Sequence, residues 1–183
     1  MVGQGGKLVG EGDFDALRLA GQRQSLGGSL DVRTLPRAAE RLADDGPVPL
    51  AWRIAGTSDA VGRPALEVAL EGRVPLECQR CLQVFFWPVQ QRTLLLLARD
   101  EAELARLDEI DEHEVLLAAA PLAVRALVED ELLLTLPYVP RCGEARCEGA
   151  PVDAAPAVAR APTAFAALAG LHAPATKKQK RSN

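Results

Sequence analysis

Leu66-Glu67-Val68-Ala69-Leu70-Glu71-Gly72-Arg73-Val74-Pro75-Leu76-Glu77-Cys78 alternates in character along its whole length. Leu66, Val68, Leu70, Val74, Leu76 and Cys78 share one parity, and Glu67, Glu71, Arg73 and Glu77 occupy the other. Successive side chains of a strand point to opposite sides, so this pattern predicts a strand with one buried and one wet face, as in antiparallel sheets. Gly72 and Pro75 weaken it and predict a bulge or an edge position. Upstream, Val48, Leu50, Trp52 and Ile54 alternate with Pro49, Ala51, Arg53 and Ala55. Downstream, Leu82 to about Leu97 is rich in aromatic and aliphatic residues, with Pro88 as an interruption. Three strands with short connections predict an antiparallel meander.

The flanks supply helices. A short strand over Leu26–Val32 is followed by a predicted helix from Pro36 to about Ala43, with proline tolerated in its first turn and Thr34 as a candidate cap. Asp44-Asp45-Gly46-Pro47 breaks it. Residues 100–114 hold eight acids and one arginine, a composition read as a solvated loop. A longer helix is expected from Pro121 to about Leu136, stopped by Pro137. The fold class is therefore α+β, an antiparallel meander flanked by a short N-terminal and a longer C-terminal helix. Residues 1–13 read as a disordered lead and 14–148 as the folded domain. Residues 149–183 read as an Ala/Pro-rich tail, with one weak helix near Phe165–Leu171 and a basic end, Lys177–Arg181.

The 183 residues are 48% hydrophobic and 25% charged, which argues against wholesale disorder. Lys plus Arg number 21 against 25 Asp plus Glu, a net charge of −4. That balance excludes a protein that coats nucleic acid through bulk positive charge, so such contact must come from a local patch. The start of the chain carries no apolar stretch of signal-peptide length, and the longest uncharged apolar run, Val115–Val124, is ten residues and contains Pro121. No membrane segment and a cytoplasmic location are the expectations.

Cys78 and Cys81 lie between two predicted strands, in the turn of a hairpin. Two thiolates at i and i+3 supply half a tetrahedral zinc site. Cys142 and Cys147 follow a helix and the stiff Pro137-Tyr138-Val139-Pro140 segment, which can deliver a second pair to the hairpin tip. Three readings stand: a structural zinc held by Cys78, Cys81, Cys142 and Cys147; unligated thiols; or a redox C-x-x-C at Cys78 and Cys81. A reactive C-x-x-C usually begins a helix that lowers its pKa, whereas here a β-like run follows. Arg80, Arg141 and Arg146 lie within or beside these motifs. They either offset thiolate charge or touch RNA phosphates.

On the second helix, at about 100° per residue from Val124, Leu127 lies at about −60°, Val128 at about +40° and Leu132 at about +80°. Glu131 falls at about −20°, inside that apolar stripe, and is expected to be buried and to accept hydrogen bonds from an arginine or backbone amides. The remaining polar residues name no catalytic constellation. His113 sits in the acidic run and His172 in the tail, and the neighbouring carboxylates of Glu129, Asp130 and Glu131 diverge around the helix. The protein is not expected to be an enzyme.

Val74-Pro-Leu-Glu-Cys-Gln-Arg-Cys81, followed in the same order by Val128-Glu-Asp-Glu-Leu-Leu-Leu-Thr-Leu-Pro-Tyr-Val-Pro140, resembles the bacterial large ribosomal RNA subunit accumulation protein (YceD-like) family. The resemblance covers roughly Phe14–Glu148, and Pro162–Leu171 is similar to the family's short C-terminal motif. It implies a cytoplasmic, non-enzymatic ribosome-biogenesis factor needed for synthesis, processing or stability of 23S ribosomal RNA. The partner implied is large-subunit ribosomal RNA or its precursor, met directly or through assembly factors. The family pattern admits Cys or His at the position of Cys142, both zinc ligands. Where the family commonly places Ile-Asp-Leu at the helix start, this chain has Leu122-Ala123-Val124 and loses a cap, leaving Pro121 to define the start. A thiol–disulfide protein and a zinc-stabilised protein-binding scaffold are the alternatives.

Overall fold

A computed structural model of the protein describes residues 12–110, 113–143 and 147, together with the backbone of 7–8. The chain runs β1 (Lys7–Leu8), β2 (Asp13–Phe14), α1 (Ala16–Gly21), β3 (Ser25–Asp31), a 3₁₀ turn (Val32–Thr34), α2 (Pro36–Ala39) and β4 (Pro49–Ser58). It continues through β5 (Pro64–Glu77), β6 (Val84–Ala98), α3 (Glu101–Ile110), β7 (Val115–Leu117), β8 (Leu122–Ala123) and α4 (Val124–Thr135). Six strands form one sheet in the order β1-β3-β4-β5-β6-β7, antiparallel from β3 to β6 with a short parallel strand at each edge, and β2 pairs with β8 apart from it. The fold is α+β, as the patterning predicts. The meander has four members rather than three, because β3 joins it through Ser25↔Ala55 to Asp31↔Pro49.

The alternating stretch becomes β5, the spine of the sheet. Its pairing with β6 runs from Ala65↔Leu96 to Glu77↔Val84 without a skipped residue, so there is no bulge. The edge position is real, however. Pairing with β4 ends at Leu50↔Gly72, and beyond it Pro75 needs no donor toward β4; its carbonyl instead accepts Ala43 N at 3.0 Å. Pro88 does not interrupt β6, since β7 reaches only Leu96–Ala98 and leaves proline on an unpaired side. Leu50, Ile54, Leu66, Val68, Val74 and Leu76 fill the core with Leu19 from α1 and Val124, Val128 and Leu132 from α4. Two glycines permit close approach. Gly28 lies opposite Trp52, whose indole occupies the space a side chain would take. A Cβ on Gly56 would collide with the backbone carbonyl of Leu19, so α1 rests directly on β4.

Four expectations are corrected. The acidic run is a helix over Glu101–Ile110 rather than a loop. Asp100 Oδ1 caps the helix by accepting Glu103 N at 2.8 Å, Glu103 Oε2 reaches back to accept Arg99 N at 2.9 Å, one residue before the cap, and Leu107 is buried. The short helix expected from Pro36, α2, ends at Ala39 rather than Ala43, and Thr34 does not cap it; the Thr34 hydroxyl donates back to Asp31 O at 2.6 Å. Helix α4 begins at Val124, not Pro121, because Leu122–Ala123 pairs with Asp13–Phe14. Lys7–Leu8, inside the expected disordered lead, pairs in parallel with Ser25–Leu26. The chain divides into Met1–Glu148, which holds these elements, and Gly149–Asn183. The latter, with the expected helix at Phe165–Leu171 and the basic Lys177–Arg181 end, lies outside the described residues, as do 1–6 and 9–11. Among the described residues no helix is long and apolar enough to cross a membrane.

Candidate metal centre

The β5–β6 hairpin closes in a tight loop. Cys78 N donates to Gln83 O at 3.0 Å and Leu82 N to Cys78 O at 2.8 Å. Leu82 takes a left-handed φ of 59°, a conformation that costs a side-chain-bearing residue about 1–2 kcal/mol. The loop folds Cys78 and Cys81 to one side of the tip. The second pair arrives from α4. That helix stops at Thr135, and two hydrogen bonds fix the extended segment beyond it: Arg41 donates to Pro137 O at 3.3 Å, and Gln79 N to Pro140 O at 2.9 Å. Gly143, at φ +65°, turns the chain between Cys142 and Cys147.

The four sulfurs lie within 4.8 Å of one another. Cys78 Sγ is 3.6 Å from Cys147 Sγ, and Cys81 Sγ is 3.8 Å from Cys142 Sγ. Four thiolates around one ion at about 2.3 Å would be spaced about 3.8 Å apart, whereas a disulfide needs about 2.0 Å. The spacing is that of a coordination shell, and all four cysteines are free. Both of these short contacts join one motif to the other, so the cluster ties the hairpin tip to the segment after α4. Cys78 and Cys147 are buried, and Cys81 and Cys142 half-buried.

The electrostatics are divided. Backbone amides of Cys81, Arg80 and Cys142 point at the Cys78 sulfur and hold its thiol well below the ordinary value. Burial, reinforced by the other three sulfurs, pushes the Cys147 thiol well above it. A cluster of this kind cannot ionise fully on its own, because thiolates repel at this range. A cation at the centre would supply the missing charge. The four cysteines could therefore hold a metal ion, with every ligand position taken by protein, as in structural rather than catalytic sites.

The other singled-out residues fall in several places. Arg80 lies within the cysteine loop and Arg141 is exposed beside Cys142, so both arginines border the centre. Arg146 lies outside the described residues, and His113 is exposed. Glu131 is 3% exposed, but its partner is neither an arginine nor a backbone amide: it shares a hydrogen bond with the Thr93 side chain of β6. The arginine and the amides belong to Glu129, two residues earlier. Glu129 Oε1 accepts Arg37 N at 2.7 Å and Ala38 N at 3.0 Å, while Oε2 receives Arg37 Nε at 3.2 Å and an Arg37 terminal nitrogen at 3.1 Å. Glu129 lies at about +140° on the wheel, outside the apolar stripe, which is why periodicity missed it. One signal did point to it. Leu35 stands at the cap position of α2 and has no side-chain acceptor, so the first amides of that helix need one from elsewhere.

No solved structure matches the chain. The sequence model of the family described as large ribosomal RNA subunit accumulation protein YceD matches residues 66–172, starting later than the resemblance at Phe14 and extending past Glu148. The matched span takes in β5, β6, α4 and all four cysteines. Because that match covers more than half of the sequence and both halves of the sulfur cluster, the chain belongs to the YceD family of large ribosomal RNA subunit accumulation proteins.

Proposed function

We propose that the protein is a non-enzymatic ribosome-biogenesis factor that supports the synthesis, processing or stability of 23S ribosomal RNA in the cytoplasm. Its family carries a role in the accumulation of large-subunit ribosomal RNA, and that membership is the observation on which the reading rests. The precursor or mature RNA is met locally, through Arg80, Arg141 and Arg146, or through assembly factors. A zinc ion on Cys78, Cys81, Cys142 and Cys147 holds the hairpin tip to the segment after α4. The sulfur spacing supports zinc in this role, and a full set of four protein ligands leaves no open position for substrate.

The reading is tested in two steps. Purified protein contains about one zinc per chain, lost in Cys78→Ser, and a strong chelator lowers the melting temperature. Cells lacking the protein accumulate less mature 23S ribosomal RNA and fewer large subunits relative to small ones. A thiol–disulfide role for Cys78 and Cys81 is the second reading, supported by the free C-x-x-C pair in the hairpin loop. Metal-free protein with normal stability, together with normal subunit ratios and altered thiol status in the deletion strain, would put that reading in its place.

A further inference from the structure

The large apolar side chains left in water are not spread evenly. Among the described residues Leu82, Val84, Phe86, Tyr138 and Val139 are exposed, and only Val61 and Leu134 join them elsewhere. Leu82 is in the cysteine loop, Val84 and Phe86 open β6 on one face, and Tyr138 and Val139 lie on the segment tied to the loop through Pro140. Tyr138 is 93% exposed and Phe86 62%. The backbone around Tyr138 is nevertheless fixed on both sides, by Arg41 at Pro137 O and by Gln79 N at Pro140 O. An exposed ring on a backbone fixed at both sides presents a ready face.

Cations surround it. Arg41 brings its guanidinium to the carbonyl immediately before Tyr138, Arg141 follows three residues later and is exposed, and Arg80 sits in the loop that Pro140 touches. Acids are present as well: Glu77 is opposite Val84, and Asp44 and Glu71 line the cavity that Phe86 borders. Aromatic faces beside guanidinium groups suit a chain of bases and phosphates. A-form duplexes hide their base faces, so only unpaired nucleotides can use the rings.

We propose that the cysteine loop and the Pro137–Pro140 segment form a platform for unpaired RNA, with Tyr138 and Phe86 stacking on bases and Arg41, Arg80 and Arg141 contacting phosphates. This rests on the ribosomal RNA reading above and narrows it to single-stranded segments. Stacking supplies affinity without demanding a particular base, and the arginines set the salt dependence.

The test uses full-length, metal-loaded protein and fluorescence anisotropy with oligouridylate and, separately, an RNA duplex of equal length. Oligouridylate binds more tightly than duplex. Tyr138→Ala and Phe86→Ala each weaken it about 5-fold or more, at unchanged melting temperature, while Tyr138→Phe binds like the parent. Arg141→Ala reduces the log–log salt slope by about 0.7, and Tyr138→Ala leaves it unchanged. Three results overturn the proposal: full affinity in the Tyr138→Ala, Phe86→Ala double variant; equal affinity for duplex; or no RNA binding by the parent, which would assign the patch to a protein partner. The 23S ribosomal RNA level in the deletion strain is independent of all three, so failure of the platform and failure of the ribosomal reading remain distinguishable.

Discussion

Helix α4 carries two sealed carboxylates, and its two sides treat them oppositely. Toward α2, Glu129 is 5% exposed; toward β6, Glu131 is 3% exposed. Burial alone would push both toward the protonated form. At Glu129 that effect is outweighed by the amides of Ala38 and Arg37 and by the Arg37 guanidinium, so its carboxyl stays below the usual range. At Glu131 burial prevails: the Thr93 side chain favours the anion only weakly, and Glu114 and Asp130 add repulsion, so the carboxyl rises above the usual range. Accessibility does not decide the charge of a buried acid. The donors it meets decide it, and the start of an uncapped helix is a far stronger donor than one hydroxyl.

Removing the carboxylate of Glu129 breaks the contrast most severely. Glu129→Ala strands two helix amides and a guanidinium, and should cost about 3 kcal/mol, read as a lower urea midpoint at neutral pH. The opposite sign is expected across the helix. Glu131→Gln keeps a hydrogen-bonding partner for Thr93 and removes a charge, and should stabilise by about 1 kcal/mol at neutral pH.

The pH dependence sharpens the comparison further. A lowered folded-state value means the Glu129 contribution is complete above the ordinary glutamate range and is lost as pH falls from that range through the lower folded-state value. A raised value means that stability falls as pH rises from the ordinary range to the folded-state value of Glu131, and is flat beyond. The Glu131→Gln gain should therefore vanish below about pH 4, and urea titrations at pH 3.5 and 8 of parent and variant check it. A gain of equal size at both values would show that packing, not charge, is responsible.

Arg37→Ala should have the smallest effect. That side chain is half exposed and is shared with Asp130, while the amides on Glu129 remain. A loss as large as that of Glu129→Ala would transfer the anchoring from the amides to the guanidinium.

Much of the fold was legible from pattern. The alternation of Leu66–Cys78 located the spine of the sheet, and the two cysteine motifs located the sulfur cluster, because strand period and ligand spacing are local properties. The elements that escaped were set by partners distant in sequence. Helix α3 was hidden by its charge count, although Asp100 and Glu103 carried its cap in plain view. The start of α4 depends on β8 pairing with β2, more than a hundred residues upstream. A helical wheel ranked Glu131 correctly as interior and placed Glu129 outside, since a wheel drawn for one stripe does not include a second helix arriving at its flank.

The arrangement of the sulfurs also carries a sense of time. Cys78 is 69 residues from Cys147, and Cys81 is 61 residues from Cys142. Closing such spans is an entropic cost that no local structure offsets, so neither contact can form early. During synthesis the hairpin pair emerges long before its counterparts, and until α4 has docked it offers an ion only two ligands. Full coordination becomes possible only once the chain has passed Cys147 and both arms stand in place. An ion gripped by all four sulfurs is thus a molecular record that assembly has finished, and its release would mark the first step of the reverse path.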